Sequence, residues 1–442
     1  MIGQLKRLIP ERHPVRLLWH RLKAFFAALR YGFPARKLVV IGITGTDGKT
    51  TTVMMTHRIL IHSGIAAGAL STASLAVREN IEGNTAEKTS PSPFVVQQFL
   101  HRLVREGCTH IVLEYSSHGL VQSRLAWTWP VVAAITNTAE EHLDYHGSME
   151  QYRRDKGILF RMLNGKGTKV LNADDGTFAM YREIPSERTI EYSGQRTTDS
   201  GLRETNVSLW LSGTSITSAG SSALLQMRTS EVRGPRSEVL SSTLSIPLLG
   251  FFNLSNALCA ISCATALGIP LDTCCEALKT FRGIPGRLER IDEGQPFSVF
   301  VDFTVTPQAF RATLTTVRQL LQPGQRLLVL TGSCGNRMRE KRPVIGRLCS
   351  ELADVIVLTD DEPYTEDPQR IIDDIRAGVL PGKGEVHTML DRREAIAFTL
   401  RQARPGDAVL LCGMGSYPIR VTAAGPIPWN EQKIVRGMLK NR

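Results

Sequence analysis

One stretch near the start of the chain limits the folds open to it. KLVVIGIT (37–44) is followed at once by GTDGKT (45–50) and then by TTVMMTHRILIHSG (51–64). A short, nearly continuous apolar run reads as a strand buried on both faces, and the segment after it has a helical pattern. Between them, glycines allow backbone N–H groups to close around an anion at the start of a helix. A strand, glycine turn and helix in this order predict a phosphate site on a parallel α/β sheet. Gly45, Thr46, Asp47, Gly48 and Thr51 would form the cradle. Lys49 would reach the β- and γ-phosphates, and the Thr50 hydroxyl would ligate Mg²⁺. The strict GxxxxGK[ST] spacing is not met, because Ile43 stands at the first glycine position.

The alternation continues. HIVLEYSS (110–117), VVAAITN (131–137) and KVLNADD (169–175) are strand-like, with helical patterns between them. Residues 194–246 are rich in Ser, Thr and Gly. Short runs such as NVSLWL (206–211) and SALLQM (222–227) predict hairpins there. GIPGR (283–287) marks a boundary, beyond which FSVFVDF (297–303), RLLVLTG (326–332), DVIVLTD (354–360) and AVLLCGM (408–414) predict a second α/β unit. The expected fold class is therefore α/β in three parts. Residues 1–37 form a basic amphipathic helix. Residues 38–283 form a parallel-sheet, P-loop ATPase domain with a hairpin subdomain. Residues 284–442 form a Rossmann-like domain.

Charge separates the first part from the rest. Residues 1–37 hold nine Lys and Arg against Glu11 alone, so they carry +8 of the chain's +11. Within them PVRLLWHRLKAFFAALRY (14–31) has a broad apolar face. Such a helix either docks on its own protein or lies on an anionic leaflet. The basic arm is a weak signal for nucleic acid, and no nucleic-acid partner is expected. Eight scattered cysteines form no paired CxxC spacing, and most sit in apolar runs. That pattern predicts buried thiols in a reducing compartment. No run is long and apolar enough to span a bilayer, and the start lacks a secretory pattern, so a cytoplasmic location is expected.

TGTDGKTT (44–51) resembles the phosphate loop of the Mur ligases, the ATP-dependent amide-forming enzymes of peptidoglycan precursor synthesis. The resemblance runs over nearly the whole chain from residue 38 and is closest to the MurE branch. EYSSH (114–118), TNT (136–138), HLDYHG (142–147) and YRRDKGILF (152–160) resemble that branch's metal and acceptor motifs. The resemblance implies ATP and Mg²⁺ as cofactors, with Thr50, Glu114, His142 and Lys156 at the metals. It further implies that Lys156 is carbamylated, and that Lys49, Lys156 and His142 are catalytic. Glu140 and Glu141 stand where the family often has Arg-Asp.

GFFNLSN (250–256) resembles the family's adenine-binding segment, which implies that Asn253 holds the base. GRLE (286–289) resembles its hinge, with Arg287 as a phosphate contact. DFTVTPQ (302–308) keeps Asp302 for the ribose but has Val305 where the family has His. GSCGNRMREKRP (332–343) offers Arg337, Lys341 and Arg342 as oxyanion partners. Asp361, Glu362 and Tyr364 stand where diaminopimelate-selecting enzymes have DNPR. Tyr364 in place of Arg removes a bidentate clamp on a distal carboxylate, so diaminopimelate is disfavoured.

Thr89, Ser90, Ser116 and Arg124 are the implied contacts to a muramyl-peptide-like acceptor. Only about 37 residues precede the core, fewer than the family's uridine-binding domain needs. The expectation is a monomeric ligase adding an amino acid to a UDP-MurNAc-dipeptide-like carboxylate through an acyl phosphate. It would serve cell-wall synthesis and, through it, cell shape and division. Its substrates are the acceptor and the amino acid, and the leaflet reading of residues 1–37 would put them against the inner face of the membrane. Alternatives are another Mur-type ligase, folylpolyglutamate-synthase-like or cyanophycin-synthetase-like, or a non-catalytic nucleotide-binding scaffold.

Overall fold

The computed structural model describes residues 10–84, 89–195, 208–228 and 239–441. Lys6 and Arg7 of the basic arm and residues 206–207 of the NVSLWL run lie outside them. The chain divides into two compact units. The first is made of Met1–Thr138, Tyr145–Ser215 and Gly220–Arg282, and the second of Ala139–Asp144, Ile216–Ala219 and Gly283–Arg442.

The first unit is built on an eleven-stranded sheet. Its strands are β1 (Val39–Thr44), β2 (Ala67–Leu70), β3 (Ser74–Val77), β4 (Asn80–Gly83), β5 (His110–Glu114), β6 (Val132–Ile135), β7 (Thr168–Asn172), β8 (Arg188–Ser193), β9 (Leu209–Thr217), β10 (Gly220–Arg228) and β11 (Val239–Ile246). The order across the sheet is β11-β10-β9-β8-β7-β6-β1-β5-β2-β3-β4. Strands β2, β5, β1, β6, β7, β8 and β9 run parallel. The β2/β3, β3/β4 and β10/β11 pairs are antiparallel. The hairpin strands thus extend the main sheet.

Strand order reverses at β1, which has β5 on one side and β6 on the other. The C-terminal ends of strands around such a reversal form a crevice, the usual ligand site of an open α/β sheet.

Four helices of this unit matter for the site: α1 (Pro14–Arg30), α2 (Lys49–His62), α3 (Met149–Lys156) and α4 (Phe251–Ala266). Helix α4 is apolar almost all round, as a fully enclosed helix must be. All of its residues are buried except Phe251, Phe252, Ser255 and Ala266. Helix α1 docks through Ala24, Ala27 and Ala28, whose small side chains allow close approach to the helix Pro93–Arg105. Phe25 anchors it edge-on to Trp127, with ring centroids 5.5 Å apart.

The second unit has a six-stranded sheet made of β12 (Glu289–Ile291), β13 (Ser298–Asp302), β14 (Leu327–Thr331), β15 (Val355–Thr359), β16 (Glu385–Met389) and β17 (Ala408–Cys412). The order is β12-β13-β17-β14-β15-β16, parallel except for β12. The four runs read as strands beyond residue 283 are β13, β14, β15 and β17. Its core is aliphatic, with Val299, Val301, Leu328, Leu330, Val357 and Leu411 among the buried residues.

Candidate active site

The loop after β1 is shaped by two glycines. Gly45 adopts φ 149° and Gly48 φ 79°. A Cβ at Gly45 would lie 1.9 Å from Thr136 Oγ1, and one at Gly48 would lie 2.1 Å from Asn256 Oδ1. Helix α2 begins at Gly48 without a side-chain cap, so its first N–H groups face the loop with the positive end of the helix dipole behind them. Thr46 N donates to Asn137 O at 2.8 Å, and Asp47 N donates to Asn137 Oδ1 at 3.0 Å. Thr136 Oγ1 donates back to Asp47 O at 2.6 Å. Lys49 Nζ folds over the loop and donates to Thr46 O at 2.7 Å. Thr50 and Thr51 are buried in the first turn of α2.

Glu114 ends β5 beside this loop and is buried. Its Oε2 accepts from Thr50 Oγ1 at 2.9 Å and from Thr72 N at 2.7 Å. Its Oε1 lies 2.9 Å from Thr72 Oγ1, which is also 3.0 Å from Thr89 Oγ1. Thr72 therefore links the loop's carboxylate to a second polar group. There Ser116 Oγ donates to Ser90 Oγ at 3.0 Å, and Arg124 Nη1 donates to Ser90 O at 2.9 Å. Gln122 Oε1 accepts from Arg124 Nη2 at 2.6 Å, and Gln122 Nε2 donates to Tyr145 OH at 3.2 Å. The structure thus brings Thr50, Glu114, Thr89, Ser90, Ser116 and Arg124 into one connected group. The sequence reading missed Thr72 and Gln122, which no motif marks.

Lys156 ends α3 and is buried. Its Nζ donates to Gly45 O at 2.6 Å and sits 4.3 Å from the centre of the Tyr152 ring. The Tyr152 hydroxyl lies 3.1 Å from Thr46 Oγ1. One residue earlier, the Asp155 carboxylate is gripped by Arg12 at 2.6 and 3.1 Å. His146 joins it, with Nδ1 2.6 Å from Asp155 Oδ2 and Nε2 3.0 Å from Ser117 Oγ. Burial works to raise the Asp155 pKa, but hydrogen bonds from His146 and Arg12 overcome it and bring the group down to about 2. His118 stacks on Tyr145, with centroids 4.1 Å apart.

Asn253 is buried inside the first turn of α4, where its Nδ2 donates to Leu249 O at 2.8 Å. Its Oδ1 accepts from Asn256 at 3.2 Å. Gly250, not Asn253, is the N-cap of α4.

His142 belongs to the segment Ala139–Asp144, which is grouped with the second unit, and it adopts φ 58°. Among the described residues, no three His, Cys, Asp or Glu side chains converge as a metal cluster. Glu141, in the same segment, pairs with Lys341 at 3.3 Å.

In the second unit Asp302 is buried at the end of β13. It accepts from Leu288 N at 2.9 Å and from Thr313 Oγ1 at 3.2 Å, and it bonds to Thr304 Oγ1. Burial raises its pKa. Arg287 stacks on the Phe303 ring at 4.4 Å.

Gly335 N donates to Glu362 O at 2.8 Å, which places the loop carrying Arg337 beside Asp361, Glu362 and Tyr364. Arg337 lies 5.9 Å from the centre of the Tyr364 ring. Glu362 accepts from Val421 N at 3.2 Å. Asp361 is fully enclosed, and burial pushes its pKa up to about 7. Its Oδ1 has no hydrogen-bond partner and lies 4.0 Å from Arg392 Nη1.

Arg342 corrects the sequence reading. Its buried guanidinium is engaged by Glu366, Asp374 and the Cys334 carbonyl, so it braces the fold and is not an oxyanion partner.

Comparison with known proteins gives a consistent likeness. The family description "Mur ligase middle domain" matches residues 43–264, and "Mur ligase, glutamate ligase domain" matches residues 286–415. A UDP-N-acetylmuramyl-tripeptide synthetase of Roseiflexus sp. (strain RS-1) is 36% identical over 432 residues, covering 93% of this chain and 81% of that protein. A UDP-N-acetylmuramoyl-L-alanyl-D-glutamate–2,6-diaminopimelate ligase of Geobacillus kaustophilus (strain HTA426) is 33% identical over 428 residues, covering 96% and 83%. Among solved structures, a UDP-N-acetylmuramoyl-L-alanyl-D-glutamate–2,6-diaminopimelate ligase aligns with TM-score 0.61 at 27% identity over 91% of this chain and 78% of that one. A folylpolyglutamate synthase of Mycobacterium tuberculosis aligns with TM-score 0.67 at 18% identity, over 89% and 92%, a likeness of fold.

Proposed function

Because this chain belongs to the Mur ligase family, we propose that it is a MurE-type ligase. It joins an amino acid to the terminal carboxylate of a UDP-MurNAc-dipeptide-like acceptor, with cleavage of ATP to ADP and phosphate. The observation that carries this reading is the bridge at Thr72. One hydroxyl lies within hydrogen-bond distance of both Glu114, beside the phosphate loop, and Thr89, in the polar group with Ser90, Ser116 and Arg124. A phosphate donor and an oxyanionic acceptor would therefore meet within one crevice.

The residues fit the nucleotide and the metal. The glycines hold the loop tight against Thr136 and Asn256, and the uncapped start of α2 turns its first N–H groups toward that loop, as a phosphate site requires. The Thr50 hydroxyl and Glu114 carboxylate are hard oxygen donors, suited to Mg²⁺. When bound, Mg²⁺ neutralises phosphate charge. The chain itself does the rest. The uncapped first-turn amides of α2 and Lys49 hold the phosphates, and this preorganised positive field favours transfer to a carboxylate. Arg124, Ser90 and Ser116 orient that carboxylate for in-line attack. The resulting acyl phosphate is then attacked by the amine. We assign Asn253 to the adenine, Asp302 to the ribose, Arg287 to phosphate, and His142 with Lys156 to the metal-binding set.

Carbamylation of Lys156 is part of the proposal. A carbamate keeps one N–H for Gly45 O while adding two acceptor oxygens beside the loop. The amine donor is assigned to the second unit. There Asp361, whose Oδ1 makes no hydrogen bond and faces Arg392 at 4.0 Å, is assigned to the amino acid's ammonium, with Glu362, Arg337 and Tyr364 beside it. The enzyme is proposed to act as a monomer in the cytoplasm.

Phosphate release tests the reading. It should require both UDP-MurNAc-dipeptide and one amino acid from a screened set, and vanish in Lys49→Ala and Lys156→Ala. Added bicarbonate should raise the rate at limiting CO₂. ATP hydrolysis indifferent to acceptor and amino acid would overturn the proposal.

A further inference from the structure

Helix α1 has two apolar faces, and the body of the first unit uses one of them. Ala24, Ala27 and Ala28 are buried. On the opposite side Val15, Leu18, Trp19, Leu22, Phe26 and Leu29 are between 42 and 60% exposed. Their spacing of three and four residues aligns all six along one stripe of the helix. Scattered exposed apolar residues are ordinary, but an unbroken stripe of large ones marks an interaction surface.

Its borders are basic. At 100° per residue, Arg16, Lys23 and Arg30 fall along one edge and Arg21 along the other. Arg16 also reaches Glu11 at 3.5 Å. The helix itself contains no Asp or Glu. Near its C-terminal end Phe25 and Phe33 gather with Trp127 and Trp129. Arg36 stacks 5.2 Å from the centre of the Trp129 ring, which is 38% exposed. Such rings, apolar with one polar edge, favour a bilayer's interfacial zone. Among the described residues, no helix is long and apolar enough to cross a membrane.

We propose that the outward face of α1 seats the protein on an anionic lipid surface. The helix lies in the plane of the interface. Trp19, Phe26 and the leucines enter the boundary between headgroups and acyl chains, while Arg21, Lys23 and Arg30 meet lipid phosphates. A second copy fits this face less well. Pairing two such stripes would bring basic borders together with no carboxylate on either helix to offset them. The proposal goes beyond the ligase reading and does not depend on it.

Flotation of the full chain with phosphatidylglycerol-rich vesicles, against pure phosphatidylcholine vesicles, is the test. Binding to the anionic vesicles should be at least about tenfold stronger and should fall with salt. The double variant Trp19→Glu/Phe26→Glu should lose at least about tenfold of that binding. Neither side chain lies on the buried face, so its thermal unfolding should match the wild type. Equal partitioning of wild type and variant, or absence of wild-type binding to both vesicles, would overturn the proposal. So would a wild-type dimer in light scattering that the variant converts to a monomer while vesicles take up neither, since the stripe would then be a self-interface.

Discussion

At Gly48 the backbone takes φ 79°, and a methyl group there would lie 2.1 Å from Asn256 Oδ1. Gly64 has nearly the same φ, 76°, but open space around it. The two therefore separate backbone cost from crowding. Gly64→Ala should cost about 1–2 kcal/mol of stability and leave nucleotide binding unchanged. Gly48→Ala pays that cost and also displaces Asn256, which bonds to Asn253 at 3.2 Å. Its affinity for a non-hydrolysable ATP analogue, measured by calorimetry, should fall by about tenfold or more, a loss near 1.4 kcal/mol. Equal affinities in the two variants would show that the Asn256 contact is irrelevant.

Asp361 supports a second prediction at this scale. Burial raises its carboxyl to about 7, so it is charged above that pH and neutral below it. If it holds the incoming amine, KM for the amino acid should rise as pH falls through 7, at constant KM for ATP. Asp361→Asn should flatten that profile. Lys49 and Thr50 were singled out by the strand, glycine-turn and helix order, and Glu114 by the resemblance of EYSSH to a family motif. Thr72 was not legible, since its role comes from sheet register. Pairing of Leu70 with Leu113 places the chain after β2 against the end of β5.

Secondary-structure elements were more legible than their partners. The strands expected at 37–44, 110–117 and 131–137 are β1, β5 and β6, because continuous apolar runs bounded by polar turns have few other uses. The helix expected over 14–31 spans Pro14–Arg30. Periodicity could not say which side of it docks, since apolar residues cover most of its circumference. Close approach selects the alanines and leaves the large residues outside. The link from the segment before α1 to α3 was hidden entirely, because Arg12 and Asp155 are 143 residues apart. That ion pair has a defined pH signature. An Asp held near 2 stabilises the folded state above its unfolded pKa near 3.9 and loses that contribution as pH falls through 2. Arg12 is partly exposed, so solvent screening limits the pair to about 1 kcal/mol. Arg12→Ala should therefore melt lower than wild type at pH 7, and the gap should close between about pH 4 and pH 2. A gap that persists unchanged at acid pH would assign the effect to packing instead of charge.

At the scale of the whole molecule, the sequence marks the second unit because strand and helix alternation restarts after Gly283, where β12 and β13 begin a new sheet. The grouping of Ala139–Asp144 with that unit was not legible, since six residues between motifs carry no pattern of their own. The division has a thermodynamic consequence. The phosphate loop, Glu114 and Lys156 all belong to the first unit, so nucleotide binding free energy enters the stability of that unit. A ligand that binds only the folded state, at a hundred times its Kd, adds about 2.7 kcal/mol. For a unit of this size that corresponds to a rise in Tm of roughly 5–10 °C. A non-hydrolysable ATP analogue with Mg²⁺ should produce that rise in the wild type, seen by differential scanning calorimetry. Lys49→Ala should show little of it, because its ammonium lies over the loop and would be the principal side-chain charge on the phosphates. The amino acid alone should leave the first unit's transition in place. If the wild type and Lys49→Ala rose together, nucleotide would be held elsewhere than at the loop after β1.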